Sequence, residues 1–303
     1  MANFILIFVC LGAGILIGRL KSLPANSHKI LNDIIINISL PALALLYVPQ
    51  IKITGEIVYP LVSMWIVFFA VTGILMMLAK VFKWNKATTG ALILTAGLCN
   101  SSFVGFPILM ALFGEEGLKV GVIVDQAGSF TVLATGGVIV ASLFSSGKYS
   151  SKKIMKDILI YPPFIAFMIG AVLNYTGFVH TSVTKDVLEK LGTPIYLLAL
   201  ISVGIQLKFS FKEISVRDLS IGLVLKLMIA PAIIYLLFAV ISGGRGLNVQ
   251  VSIIESAMAP MVMGSVMAVT HNLNPRLANL MVGLGIPVSF ITLAFWYLII
   301  KGL

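Results

Sequence analysis

Charge is what this chain most lacks. Only 11% of its 303 residues are Asp, Glu, Lys or Arg, while 59% are hydrophobic and the mean hydropathy is +1.08. A soluble globule carries about 25% charged and about 45–50% apolar residues, so a water-soluble fold is excluded. Cysteine is scarce as well. Cys10 and Cys99 each sit inside an apolar run, give neither a C-x-x-C nor a metal-ligand pattern, and read as small core hydrophobes. The sequence has no His-Glu-x-x-His and no G-x-x-x-x-G-K-[ST], so it carries neither the zinc peptidase motif nor the phosphate loop of an ATP-driven pump. Acidic residues are few: 11 against 21 basic, for a formal net charge of +10. In a soluble protein that excess would point to nucleic acid; here it reports membrane topology, and no nucleic-acid partner is expected.

The chain is rich in long apolar runs. A bilayer crossing takes about 20 apolar residues, and runs of that size fall near 2–20, 30–50, 58–83, 88–113, 117–144, 155–176, 187–207, 218–241, 249–271 and 277–301. The expected fold class is therefore an all-α polytopic membrane protein of ten transmembrane helices. No basic residue precedes the first run, so Met1–Leu20 reads as a span rather than a signal peptide. Basic residues concentrate after odd-numbered spans, as in Arg19, Lys21 and Lys29, in Lys80, Lys83 and Lys86, and in Lys148, Lys152, Lys153 and Lys156. The positive-inside bias makes those loops cytoplasmic and places both termini outside, with the plasma membrane as the expected location.

The longest basic connection, 145–156, separates five spans in 1–144 from five in 157–303. An odd number of spans per half gives the halves opposite orientations, an inverted repeat. Proline placement agrees with duplication: Pro41 and Pro194 are 153 positions apart, and so are Pro107 and Pro260.

Two of the spans are interrupted. The fourth contains Asn100-Ser101-Ser102-Phe103-Val104-Gly105-Phe106-Pro107, and the ninth Glu255-Ser256-Ala257-Met258-Ala259-Pro260 followed by Met261. Proline in a helix interior removes a hydrogen bond and leaves backbone groups that lipid cannot satisfy, so these segments must line a protein cavity. If the two broken helices, 4 and 9, cross, half-helix N-termini supply partial positive charge for an anion, and freed carbonyls suit a cation.

Glu255 is the sharpest single residue, because a carboxylate at membrane depth is a functional candidate by default. A wet helix end is the competing account, since Arg245, Asn248 and Gln250 lie upstream. Asp125, with Ser129 one turn on, has the same two readings. Together Asn100, Ser101, Asp125, Ser129 and Glu255 form an oxygen-rich set compatible with a hard monovalent cation. Lys226, inside the eighth span, is expected to snorkel its head to the cytoplasmic surface, with pairing to a carboxylate as the alternative. His271 and the many Met residues read as structural.

These stretches resemble the auxin efflux carrier family, whose bacterial members include malate and malonate permeases. The resemblance rests on Cys99 to Pro107 with the trailing Phe113-Gly114-Glu115-Glu116-Gly117, on Lys226-Leu227 with Pro231, and on Glu255 to Pro260. It implies crossed broken helices 4 and 9, a scaffold of spans 1, 2, 6 and 7, and a transport domain of spans 3–5 and 8–10 that moves as an elevator. Substrates of the family are organic anions bound beside the crossover, where Asn100 matches a family asparagine and Pro107 and Pro260 match the crossover prolines. Ser101, Ser102, Gly105 and Met261 flank them. This sequence departs from the common pattern in having Ser101-Ser102 for Thr-Gly, and Ala259 for a second proline. The fold is also similar to that of bile-acid:sodium symporters, in which a span-9 glutamate binds sodium. A Na+ site at Glu255 is therefore a hypothesis, with no other cofactor expected.

The leading function is secondary active transport of small organic anions, driven by a Na+ or H+ gradient. The alternatives are a ligand sensor on a transporter scaffold and an uncoupled uniporter of an auxin-like aromatic acid. An enzyme is not expected. The bilayer and the anion are the expected partners, with a homodimer as the candidate assembly.

Overall fold

An apolar chain in lipid must satisfy its backbone internally, which leaves helices as the available element for spans of this composition. A computed structural model describes residues 2–20, 24, 27–145, 160–207 and 215–303. Among these residues the regular elements are all helical, apart from one isolated β-bridge. The helices are α1 (Ala2–Ile17), α2 (Ser27–Gln50), α3 (Gly55–Phe82), α4 (Lys86–Ala96), α5 (Ser101–Phe144), α6 (Pro162–Tyr175), α7 (Ser182–Gln206), α8 (Val216–Ile241), α9 (Leu247–Ser256), α10 (Val262–Thr270) and α11 (Pro275–Ile300). Several starts are capped by short polar side chains. Asn85, Thr181, Ser215 and Asn274 each accept a hydrogen bond from the backbone N–H three residues on, opening α4, α7, α8 and α11.

Among the described residues, six helices are long and apolar enough to cross a membrane: α2, α3, α5, α7, α8 and α11. This differs from a simple run of ten continuous spans, for physical reasons. Residues 88–113 divide into α4, an interruption at 97–100 and the first arm of α5. Residues 249–271 divide into α9, an interruption at 257–261 and α10. The stretch α5 is helical on both sides of Gly114, whose φ of 65° is a left-handed value that glycine adopts without a Cβ clash. The basic connection 145–156 lies outside the described residues except for Ser145, as do Lys21, Lys208 and Lys212.

The chain forms two compact units. The first comprises Met1–Gly55, Ser102–Gln126 and Met155–Lys208, and so holds α1, α2, the start of α5, α6 and α7. Its tightest crossing is glycine-built. A Cβ on Gly14 would lie 2.3 Å from the Ile201 carbonyl oxygen, and one on Gly204 2.5 Å from that of Leu11, so α1 and α7 meet backbone to backbone. Asn174, at the end of α6, donates to the carbonyls of Val48, Pro49 and Ile51 at 3.0, 3.0 and 2.8 Å, satisfying the open C-terminal end of α2.

The second unit comprises Glu56–Ser101, Ala127–Ile154 and Phe209–Leu303, and holds α3, α4, the end of α5 and α8 to α11. Here Pro231 has no N–H for the carbonyl of Leu227 four residues earlier, and Trp296 Nε1 of α11 donates to that oxygen at 3.0 Å. At the other end of α8, Asp218 accepts from Trp84 Nε1 at 2.9 Å and pairs with Arg217 at 3.0 Å, fastening the start of α8 to the end of α3.

Candidate functional site

The two interruptions of the second unit lie against each other. Cys99 and Pro260 form an antiparallel bridge, and the Asn100 backbone N–H donates to the Ala259 carbonyl at 3.0 Å. The local causes are plain in the sequence. Pro260 cannot donate within a helix, Gly97 closes α4 as its C-cap, and neither stretch resumes helix before Ser101 or Val262. Two small contacts let the segments come this close. A Cβ on Gly264 of α10 would meet the Leu94 carbonyl oxygen of α4 at 2.1 Å, and one on Gly285 of α11 would meet the Pro260 ring at 2.5 Å. Glycine is required at both places.

Burial decides between the two accounts of Glu255. Its relative exposure is 0%, and that of Asp125 is 2%, so neither stands at a wet helix end. Asn100 is 3% exposed, and its Nδ2 has no hydrogen-bond partner among the described residues. Ser129 Oγ, also buried in this unit, is likewise without one. Ser101, Ser256, Met258 and Met261 are buried here too.

Lys226 does not snorkel. Its side chain is fully buried, and Nζ donates to the Ser256 carbonyl and to Cys99 Sγ, each at 2.8 Å. The reason is local. Residues Leu225–Ile229 form a π-helical turn in α8, which faces Leu225, Lys226 and Leu227 into the protein. Cys99, read from sequence as inert packing, is thus a hydrogen-bond partner at the interruption. A thiol offers no periodicity or motif that would have said so.

The remaining candidates belong to the first unit. Ser102 and Gly105 lie on the first turn of α5, with Pro107 close behind. Ser102 Oγ donates to Asp125 Oδ1 at 2.5 Å, and Gln126 Nε2 donates to Asp125 Oδ2 at 2.7 Å. The Ser102 hydroxyl, expected as a ligand for substrate, therefore spends its proton on a carboxylate of its own chain. Beside Pro107, a cleft is lined by Leu6, Ile7, Met110, Tyr196 and Leu200. His271 closes α10, its Nδ1 2.8 Å from the Met267 carbonyl.

The second unit thus presents donors at its interruptions: an amide without a partner among the described residues, a buried ammonium, and the backbone N–H end of α10, which no side chain caps and where helix geometry favours negative charge. No group of three or more His, Cys, Asp and Glu among the described residues could hold a metal ion.

A family model described as membrane transport protein matches residues 1–297. The chain belongs to that family. This membrane transport protein is 27% identical over 300 residues to an uncharacterized transporter of Methanothermobacter thermautotrophicus, the alignment covering 98% of this chain and 96% of the relative. It is 28% identical over 275 residues to an uncharacterized transporter of Methanocaldococcus jannaschii, covering 88% of each. The family is one of transporters rather than enzymes, and its reach over nearly the whole chain agrees with the resemblance to auxin efflux carriers. The protein is a membrane-embedded transporter.

Proposed function

We propose that this transporter carries small organic anions, carboxylates such as malate or malonate, across the plasma membrane by elevator-type alternating access, coupled to a gradient of H+ or Na+. The observation that carries the reading is the donor set at the paired interruptions. Asn100 Nδ2 is buried without a partner among the described residues, and the buried Lys226 ammonium donates to two neutral acceptors, Ser256 O and Cys99 Sγ. Buried donors of this kind call for an acceptor, and a carboxylate supplies oxygens and charge together.

The elevator reading draws on the division into two units, neither of which is a sequence half. The unit with α3, α4 and α8 to α11 carries the interruptions and travels with the substrate, while α1, α2, α6 and α7 stay in place. The ten-span, five-plus-five inverted repeat belongs to the same proposal, with both termini outward. It is supported by the recurrence of element order, a long helix then an interrupted one, in α3–α4 and in α8–α9–α10.

Uptake of labelled malate, malonate and an aromatic acid into proteoliposomes, under a pH gradient, a Na+ gradient or neither, tests the reading. Accumulation of a dicarboxylate under one gradient is expected. If no anion moves under any condition, the transporter of organic anions is ruled out, and binding without movement would favour a sensor.

A further inference from the structure

Pro260 has no N–H, so the Ser256 carbonyl four residues earlier has no helical donor, and it stands at the partially negative C-terminal end of α9. An end of this kind, buried and interrupted, suits a cation. The chain fills it from within. Lys226 Nζ donates to Ser256 O at 2.8 Å and to Cys99 Sγ at 2.8 Å, so one ammonium joins the interruption after α9 to the interruption after α4.

The other proline break of the unit makes the comparison. The Leu227 carbonyl, freed by Pro231, is served by the neutral indole N–H of Trp296 at 3.0 Å. A neutral donor is therefore enough to satisfy a carbonyl orphaned by proline. At Ser256 the fold instead commits a fully buried positive charge, and sets it there with a π-helical turn, Leu225–Ile229, that costs the regular hydrogen-bond pattern of α8.

Two cations cannot share this end. A Na+ bound to Ser256 O would sit within a few Å of the ammonium in a low-dielectric interior, where repulsion between unit charges is strong.

We infer that Lys226 is a resident cation, occupying the place that a coupling Na+ would take at the carbonyl end of α9, so that anion binding in this protein needs no Na+. The statement about anions rests on the carrier reading above; the statement about Na+ does not.

The test uses the purified full chain and measures thermal unfolding in NaCl against KCl at matched ionic strength. The wild type is expected to unfold at the same temperature in both salts. A saturable rise in Tm specific to Na+ would show a bound sodium ion and overturn the inference. Lys226→Ser removes the ammonium and leaves space and a hydroxyl. It is expected to gain a saturable rise in Tm with Na+ that KCl does not give, or to be recovered folded from NaCl and not from KCl. Lys226→Ser without any preference for Na+, or recovered from neither salt, would overturn the inference. Malonate uptake by the wild type, in liposomes with equal NaCl or equal KCl on both sides, is expected at equal rates. Absence of uptake in both salts would count against the carrier and leave the Na+ result standing.

Discussion

Gly264 of α10 lies so close to α4 that a Cβ at its position would stand 2.1 Å from the Leu94 carbonyl oxygen. Backbone cannot yield as a flexible side chain can, so Gly264→Val is expected to cost about 1–3 kcal/mol, as overpacking does. Gly73, in α3, has no heavy atom within 4 Å of its own ideal Cβ, and Gly73→Ala is expected to be neutral or stabilising by up to about 1 kcal/mol. Thermal unfolding of both variants checks this. Equal losses at the two sites would mean that the crossing of α4 and α10 is looser than described.

Asn100 divides its duties between backbone and side chain. The N–H holds Ala259, while Nδ2 has no partner among the described residues. Asn100→Ala should therefore leave Tm nearly unchanged, within about 0.5 kcal/mol of stability, because the Nδ2 it removes has no hydrogen-bond partner among the described residues. The half-saturating anion concentration should rise about tenfold or more, since a hydrogen bond to a charged group contributes about 1.5–3 kcal/mol. Concentration series of dicarboxylate uptake supply the measurement, and undiminished affinity would remove Asn100 from the site.

Glu255→Gln keeps shape and removes titration from a fully buried carboxyl. Gradient-driven accumulation is expected to disappear while exchange of labelled for unlabelled anion continues, because binding and movement do not need the coupling ion to be released. Accumulation that keeps its wild-type dependence on the coupling gradient would take Glu255 out of coupling.

Asp125 is held by two donors, Ser102 Oγ and Gln126 Nε2. In Asp125→Asn the charge-assisted bonds become neutral ones, the new NH2 donating to a Ser102 hydroxyl that must now accept, and a loss of about 1–3 kcal/mol is expected. Ser102→Ala should lose less, about 0.5–1.5 kcal/mol, since it removes one bond and leaves Gln126 in place. Denaturation of the two variants in detergent gives the comparison. A rise in stability for Asp125→Asn would show that the ionised carboxylate is not what these bonds hold.

Helical character and the interruption at Pro260 were legible in the sequence because both follow from composition: apolar runs must become helices in lipid, and Pro260 stands where a helix must yield. The first interruption, expected at Pro107, instead follows Gly97, and Pro107 lies inside α5, near the start of its regular helical part. Membership of a transporter family followed from the same stretches. The role of Lys226 was not legible. Hydropathy measures distance along the chain from polar residues, and eight residues into a span a lysine looks able to reach water. Its actual acceptors, Ser256 and Cys99, are 30 and 127 positions away. Burial of Glu255 and Asp125 was undecidable from sequence, since hydropathy along a span does not say which side chains pack over a carboxylate. Gly114 was read in the break between two spans, and it is the left-handed residue at which two helices meet across a kink, a break of a single residue rather than a loop. The early starts of α2 at Ser27 and α7 at Ser182 were missed because their first turns are polar and weigh little in a hydropathy window.

The pairing of Cys99 with Pro260 also furnishes a native chemical reporter. Cys10 and Cys99 are both buried thiols without disulfide partners, and each unit contains one of them. In a Cys10→Ser protein the single remaining thiol lies on the backbone bridge itself. An alkylating reagent can reach it only when the peptides at 99 and 260 part, so the rate of alkylation counts openings of that junction on an unlabelled chain, with and without anion.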